Sequence, residues 1–184
     1  GMSYPTVWDS SNLTSCVCYF QTSGDNGSTW TVHVGRVDFQ WQLKRFGGSD
    51  YGGFLFWKNL MRMGDGSIQG PMYGCSSTDV LTRCVWVRSD NEGTNWSYVS
   101  TIAQNDSLPG GEGFGEPTAA RCADGSLICV MRSGSGTFPL YQSRSTNDGV
   151  SWSAPATLSG PAPADTYGVD PELCRMSDGM MALS

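Results

Sequence analysis

Hydrophobic and polar residues alternate along much of the chain. Clear examples are SCVCYFQ at 15–21, RCVWVR at 83–88 and SLICVMR at 126–132, each bounded by Gly, Asp or Asn nearby. Alternation of this kind puts one face of a strand in a core, and the bounding residues mark turns. No stretch of about twelve residues carries a convincing helical period. The pattern therefore predicts an all-β fold.

Two markers repeat along these strands. The first is an Asp-Gly turn, at Asp65-Gly66, Asp124-Gly125 and Asp178-Gly179, at intervals of roughly 54 to 59 residues. The second is an octapeptide, which reads SGDNGSTW at 23–30, SDNEGTNW at 89–96 and STNDGVSW at 145–152. Self-similarity at this period, with room for about four strands per repeat, is typical of β-propeller blades.

The repeats divide the chain into antiparallel blades. We predict a single partial propeller over 1–184, with about three four-stranded blades and incomplete ends. The predicted parts are a partial blade at 2–36, complete blades at 55–103 and 116–159, and the start of a further blade at 170–184.

Each octapeptide is suited to a turn between the third and fourth strands of a blade. Its third residue is Asp or Asn, whose short side chain accepts backbone N–H bonds. Its fifth residue is Gly, which adopts a left-handed backbone conformation without strain. Its last residue is a tryptophan, Trp30, Trp96 or Trp152, which we predict to bury its ring where the fourth strand starts.

Composition excludes several classes of function. The formal net charge of −6 argues against binding to nucleic acid. No apolar run is long enough to span a membrane as a helix. The seven cysteines form no paired zinc pattern. Most of them lie in apolar runs, which predicts small core residues rather than disulfides. No cofactor motif is present, so we expect no cofactor.

The octapeptide resembles the Asp box, S-x-D-x-G-x-T-W, of the sialidase superfamily of BNR-repeat proteins. Residues 23–30 match fully, whereas the other two copies depart at the third and seventh positions. The resemblance implies a six-bladed propeller of which this chain is a fragment. It also implies a bacterial, secreted or periplasmic protein whose Asp boxes lie on the face away from the active site.

Strand order gives an independent assignment of the faces. The first strand of a blade runs to the Asp-Gly turn, the second returns, and the third runs to the octapeptide, so both markers share one face. Glu116 and Arg132 lie at equal distances from Asp124 on either side of the turn, so we expect them to face each other at the opposite, open face. A carboxylate beside a guanidinium stays ionised and can act as a base toward a hydroxyl.

The resemblance adds roles to this pair. Sialidases carry a Glu and an Arg at this separation across an Asp-Gly hairpin, here GEPTAARCADGSLICVMR at 115–132. The resemblance implies that Glu116 activates a tyrosine nucleophile and that Arg132 is one of three arginines that bind the substrate carboxylate. The chain departs from the family at the corresponding position of the preceding blade, where Trp57 and Lys58 stand and no arginine does. The alternative is a solvated salt bridge.

Three further residues are candidates at the open face. Tyr73 ends a second strand there and is a candidate for substrate binding. Asp79, in the loop CSSTDVLTR, is a candidate general acid, with a turn-capping role as the alternative. Asp170 occupies the position in its blade that Glu116 occupies in the preceding one, and we assign it to substrate binding.

The leading hypothesis is a sialidase-like exo-glycosidase that acts on glycans with an acidic sugar. By resemblance, the reaction is a retaining hydrolysis with a tyrosine nucleophile, an aspartic acid/base and three arginines. The alternatives are a non-catalytic Asp-box propeller that binds glycan or protein, and a structural scaffold. A further hypothesis is a homodimer in which two chains complete one propeller ring, since closure removes exposed strand edges.

Overall fold

The computed structural model describes residues 7–8, 13–44, 53–134, 138–158 and 168–184. All of its regular elements are β-strands, which confirms the all-β prediction. The predicted blade limits at residues 2 and 159 lie outside the described residues. Within the described ranges, no helix is long and apolar enough to cross a membrane.

The described residues contain fourteen strands, which follow one another along the chain. They are β1 (Val7–Trp8), β2 (Ser15–Thr22), β3 (Thr31–Asp38), β4 (Phe54–Phe56), β5 (Met61–Arg62), β6 (Ile68–Gly74), β7 (Arg83–Ser89), β8 (Asn95–Ala103), β9 (Phe114–Arg121), β10 (Leu127–Ser133), β11 (Tyr141–Ser145), β12 (Ala156–Thr157), β13 (Leu173–Arg175) and β14 (Met181–Leu183).

The strands form four consecutive antiparallel units. The first unit is β1–β3, the second is β4–β8, the third is β9–β12 and the fourth is β13–β14. A short parallel pairing of β3 with β8, at Val37 and Trp96, joins the first two units into one eight-stranded sheet. The third and fourth units are separate sheets of four and two strands.

The first strand of the second unit is interrupted. β4 ends at Phe56 and β5 begins at Met61. Between them, the side-chain amide of Asn59 donates a hydrogen bond to the carbonyl of Ala119 in the third unit, at 2.9 Å. The interrupted segment therefore gives up pairing with β6 and contacts the neighbouring unit instead.

The Asp-Gly turns and the octapeptides lie on one face, as predicted. Arg88, just before the second octapeptide, donates to Asp65 of the Asp-Gly turn at 2.7 Å. In the third unit, Arg121 donates at once to the carbonyl of Gly125 and to the octapeptide residue Asp148, at 2.6 and 2.7 Å. We call this end the turn face and the opposite end the open face.

The octapeptides also make contacts between units. An added Cβ on Gly93 would lie 2.3 Å from the ring of Phe20 in the first unit, and one on Gly149 would lie 2.2 Å from the ring of Trp86 in the second. Each glycine therefore sits directly against an aromatic ring of the preceding unit. Only a residue without a side chain permits so close an approach.

The octapeptide tryptophans differ in burial. Trp96 is 2% exposed and packs against Phe56, between the first and second units. Trp152 is partly buried and lies against Trp86, at 5.4 Å between ring centroids. Trp30 is 56% exposed, so the prediction of a buried ring is wrong at that position. In the described part of the chain, no preceding unit lies against Trp30 as units lie against the other two.

Candidate functional site

Side chains from three successive units meet at the open face. Their positions are related by the repeat, because Trp57, Glu116 and Asp170 each lie five residues before an arginine that precedes an Asp-Gly turn. The indole N–H of Trp57 donates to Asp170 Oδ1 at 2.6 Å. The backbone N–H of Asp170 donates to Glu116 Oε2 at 2.7 Å. The repeat thus brings three equivalent positions into one cluster.

Glu116 and Arg132 are in contact, as the sequence predicts. Arg132 Nε lies 2.9 Å from Glu116 Oε2, and both side chains are 15% exposed. This is a contact between charges rather than a directed hydrogen bond, because Arg132 Nε has no aligned acceptor among the described residues. The NH1 group of Arg132 donates to Glu112 and to the carbonyl of Gly134.

A β-bulge sets the orientation of Glu116. The predicted register pairs Glu116 with Arg132, but the structure pairs Gly115 with Arg132, and the register shifts between Val130 and Arg132. Glu116 has a φ of 48°, in the left-handed region that residues other than glycine seldom adopt. A bulge redirects a side chain and interrupts pairing, and strained backbone of this kind clusters at functional sites.

The same backbone feature recurs at Asp170. Its φ is 57°, and like Glu116 it precedes a proline, Pro171 in place of Pro117. Lys58 Nζ lies 2.9 Å from Asp170 Oδ1 and 3.0 Å from Glu172 Oε2. The hydrogen bond from Lys58 lowers the pKa of Asp170 below its usual value, although partial burial opposes this. Asp170 is therefore an ionised acceptor at neutral pH.

Tyr73 reaches the cluster from β6. Its ring packs edge-to-face against Trp57, with 5.8 Å between centroids, and an added Cβ on Gly115 would touch it at 3.4 Å. Burial, together with the charge of Glu116, raises the pKa of Tyr73 to about 12. Its hydroxyl therefore keeps its proton at neutral pH and can donate a hydrogen bond.

Asp79 contacts residues that lie outside the cluster. Its carboxylate is 1% exposed, pairs with both nitrogens of the Arg83 fork, and accepts from the Ser76 amide at 2.7 Å. Burial raises the pKa of Asp79, but the bonds from Arg83 and Ser76 outweigh it and hold the pKa below its usual value. A general acid needs a pKa near the working pH, so these contacts support the turn-holding alternative.

Two members of the cluster have no role in the prediction from sequence. Lys58 stands there only as a departure from the family, and Glu112 is not among the predicted site residues. The repeat could have identified Lys58, because it is adjacent to Trp57, the equivalent of Glu116. Nothing in the repeat marks Glu112, which comes from the irregular loop between β8 and β9.

The cluster carries excess negative charge. Its carboxylates are Glu112, Glu116, Asp170 and Glu172, and its cations are Arg132 and Lys58. Among the described residues, no group of three or more His, Cys, Asp or Glu side chains is arranged to hold a metal ion. The arrangement offers hydrogen-bond acceptors, one partly buried guanidinium and the aromatic edges of Trp57 and Tyr73, a combination suited to a polar ligand.

A pocket of about 330 Å³ adjoins the cluster at Lys58. It lies between β2 and the first strand of the second unit and is lined largely by apolar side chains, including Phe20, Phe56 and Leu60. The carboxylates of the cluster lie outside it. We place the candidate site at the cluster, because the groups able to do chemistry converge there.

Comparison with solved structures confirms a β-propeller fold. An α-L-arabinanase from Penicillium chrysogenum, complexed with arabinobiose, matches 94% of this chain and 50% of its own, at 16% identity and a TM-score of 0.62. NanB sialidase from Streptococcus pneumoniae matches 91% of this chain and 23% of its own, at 17% identity and a TM-score of 0.56. The intramolecular trans-sialidase from Ruminococcus gnavus matches 91% of this chain and 32% of its own, at 22% identity and a TM-score of 0.53.

The chain spans about half the length of the first of these solved structures. No curated protein matches it. The family described as "BNR repeat-like domain" matches residues 2–183, nearly the whole chain. The chain therefore belongs to the BNR repeat-like domain family, as its similarity to the Asp-box proteins of the sialidase superfamily predicts.

Proposed function

We propose that the open-face cluster is part of the active site of a glycoside hydrolase, a sialidase-like exo-glycosidase that acts on glycans ending in an acidic sugar. The observation that carries the proposal is the convergence of Glu116, Arg132, Tyr73 and Asp170 from successive units. None of these residues is adjacent to the next in sequence. The propeller fold, which the chain shares with an arabinanase and two sialidases, supports this class of reaction.

Each group has a role that its surroundings support. Glu116 is the base that withdraws a proton from a hydroxyl, since its Oε2 is already oriented by the Asp170 amide and the Arg132 charge. Arg132 binds the carboxylate of the sugar through its planar fork. Asp170 accepts hydrogen bonds from sugar hydroxyls, and Tyr73 donates one. The nucleophile and the other arginines of the sialidase pattern are not assigned to residues of this chain.

A second candidate function is glycan or protein binding without catalysis. One observation favours it, namely that Arg132 is already paired with Glu112 and Glu116 within the chain. A guanidinium that is already paired with two carboxylates binds the carboxylate of a substrate more weakly than an unpaired guanidinium does. Turnover separates the two candidates, because a binding module retains its ligand unchanged.

The test is hydrolysis of fluorogenic glycosides by the protein and by Glu116→Gln. A sialoside and an α-L-arabinofuranoside are assayed side by side, so that acidic and neutral sugars are compared. Glutamine still accepts the hydrogen bond from Asp170 but cannot take a proton, so we expect kcat to fall by about a hundredfold or more. If the unmodified protein hydrolyses neither substrate, the result would favour a binding module without catalysis.

The matched control is Glu92→Gln. Glu92 is also a glutamate paired with an arginine, Arg62, at 2.6 Å, but it lies on the turn face. We expect Glu92→Gln to retain full activity. Equal losses in the two variants would mean that the effect is structural, and the role of Glu116 as a base would be rejected.

A further inference from the structure

Two glutamates contact Arg132, and they are held very differently. Glu116 is 15% exposed, and its Oε2 also accepts a hydrogen bond from the Asp170 amide at 2.7 Å. Glu112 is 52% exposed, and Arg132 is the one partner of its carboxylate among the described residues. Glu116 is therefore fixed in the cluster, whereas the carboxylate of Glu112 is held at a single point.

The backbone beneath Glu112 is anchored independently of that carboxylate. The amide and the hydroxyl of Thr82 both donate to the carbonyl of Glu112, the amide at 2.9 Å. Gly113 follows with a φ of 86°, and an added Cβ there would lie 2.3 Å from the carbonyl oxygen of Thr82. The Glu112 side chain can therefore leave Arg132 by rotating, without disrupting the loop.

Burial makes Arg132 dependent on nearby anions. Its side chain is 15% exposed, and burial alone would lower its pKa, but Glu112 and Glu116 outweigh burial and raise it. An arriving carboxylate can supply the same charge compensation as Glu112 and can also pair with the planar fork in two places. Replacement of one carboxylate by another leaves the guanidinium compensated throughout.

We propose that Glu112 is an internal competitor for the anion-binding position on Arg132, and that it sets the preference of the site between acidic and neutral sugars. When no acidic ligand is bound, its carboxylate occupies the position that the ligand's carboxylate takes. An acidic sugar binds only by displacing it, whereas a neutral sugar binds with Glu112 in place. This inference rests on the proposed role of Arg132, but it concerns binding and does not require hydrolysis.

The test measures binding of free sialic acid and of its methyl ester to the protein and to Glu112→Gln by NMR titration. The ester keeps the sugar and loses the charge. We expect Glu112→Gln to tighten binding of the acid by up to about fivefold, the scale of an exposed ion pair, and to leave binding of the ester within about twofold. A purely structural role of Glu112 predicts weaker binding of both probes.

A double-mutant cycle assigns the effect to Arg132. In Arg132→Ala, the substitution Glu112→Gln should no longer change binding of the acid, because the group for which the two carboxylates compete is gone. Glu92→Gln controls for the loss of one charge from an acidic chain. Thermal unfolding of each variant checks that the fold is kept.

Three outcomes would overturn the proposal. They are unchanged or weaker binding of the acid in Glu112→Gln, an equal gain for acid and ester, and failure of both proteins to bind the acid at all. The proposed hydrolysis is judged separately by turnover of the fluorogenic substrates. A protein that binds the acid in the expected order but does not turn over would retain this inference and lose the proposed function.

Discussion

At the scale of single residues, the octapeptide is mainly a device for satisfying backbone N–H groups. The Ser23 hydroxyl accepts from the Gly27 amide at 2.7 Å, and the Asp25 carboxylate accepts from the Thr29 amide at 2.8 Å. Asn91 and Asn147 make the equivalent contact through a side-chain carbonyl, at 2.8 and 3.0 Å. Asparagine therefore supplies the side-chain acceptor of the Asp box for this backbone N–H group, but not its negative charge.

Among the three octapeptides, this difference predicts an effect of pH only in the first, at Asp25. The hydroxyl of Thr29, followed by its amide, lowers the pKa of Asp25 from 3.8 to about 2. Because the folded chain binds this proton more weakly than the unfolded chain, the contribution to stability is complete above pH 4. It is lost as the pH falls toward 2. NMR titration should show the Asp25 carboxyl titrating near the lower value, and Asp25→Asn should remove that part of the acid destabilisation. A carboxyl that titrates near 3.8 would contradict the contacts.

A second prediction separates backbone strain from packing in the same motif. Gly93 and Gly27 have φ values of 83° and 88°, so alanine is strained at both, by about 1–2 kcal/mol. At Gly27 the nearest contact of an added Cβ is the Trp30 ring at 3.7 Å, whereas at Gly93 the Phe20 ring is at 2.3 Å. We expect Gly93→Ala to lower the free energy of unfolding by about 1–3 kcal/mol more than Gly27→Ala does. Urea unfolding of the two variants measures this difference. Equal losses would mean that the ring of Phe20 moves aside freely.

At the scale of elements, the octapeptide joins neighbouring units as well as strands. Trp96 fills the core between the first two units, and its indole N–H donates to the Gly93 carbonyl at 2.7 Å. Trp152 instead donates to Ser100 of the preceding unit, at 3.2 Å. One motif position thus serves packing in one unit and a cross-unit hydrogen bond in the next.

Trp96→Ala should therefore cost more than Trp152→Ala. The first substitution empties a site that is 2% exposed, for which a loss of about 3–5 kcal/mol is typical. The second removes a ring that is only partly buried, so we expect a smaller loss. Urea unfolding of the two variants under the same conditions measures the difference. The reverse order would mean that the contact between Trp152 and Trp86 dominates the packing.

Most of the fold follows from local patterns, but the site follows from them only in part. Alternation and the two repeat markers predict the strands, the turn face and the contact between Glu116 and Arg132. They do not predict the bulge, because a shift of one residue beside Pro117 leaves the alternation of the rest of the strand intact. They also miss Glu112, whose position depends on the pairing of an irregular loop with Thr82.

At the scale of the whole molecule, the exposed apolar side chains of β3 and of the residue before it are the main irregularity. Trp30, Val32 and Val34 are 56%, 59% and 58% exposed. Val32 and Val34 lie on the same side of β3, because side chains alternate along a strand. We propose that a second copy of the chain covers these side chains, as the preceding unit covers Trp96, and that the two chains together complete a propeller ring.

Light scattering tests this assembly. The chain has a mass of 19.8 kDa, and the proposal requires a dimer of twice that mass. Trp30→Arg should return the protein to the monomer without unfolding it, because the ring is not part of the core. A monomer at every concentration, or a Trp30→Arg variant that remains dimeric, would contradict the proposed contact.

Glu116 and Asp170 each precede a proline, and their backbone conformation affects how the open-face cluster can change during evolution. In both places the backbone is left-handed, and the side chain reaches the cluster from a residue that is partly buried at Glu116 and exposed at Asp170. Asp, Asn and Gly tolerate that conformation better than Glu does. Single-codon changes at these two positions can therefore alter the chemistry of the open face while the strands and core are inherited unchanged.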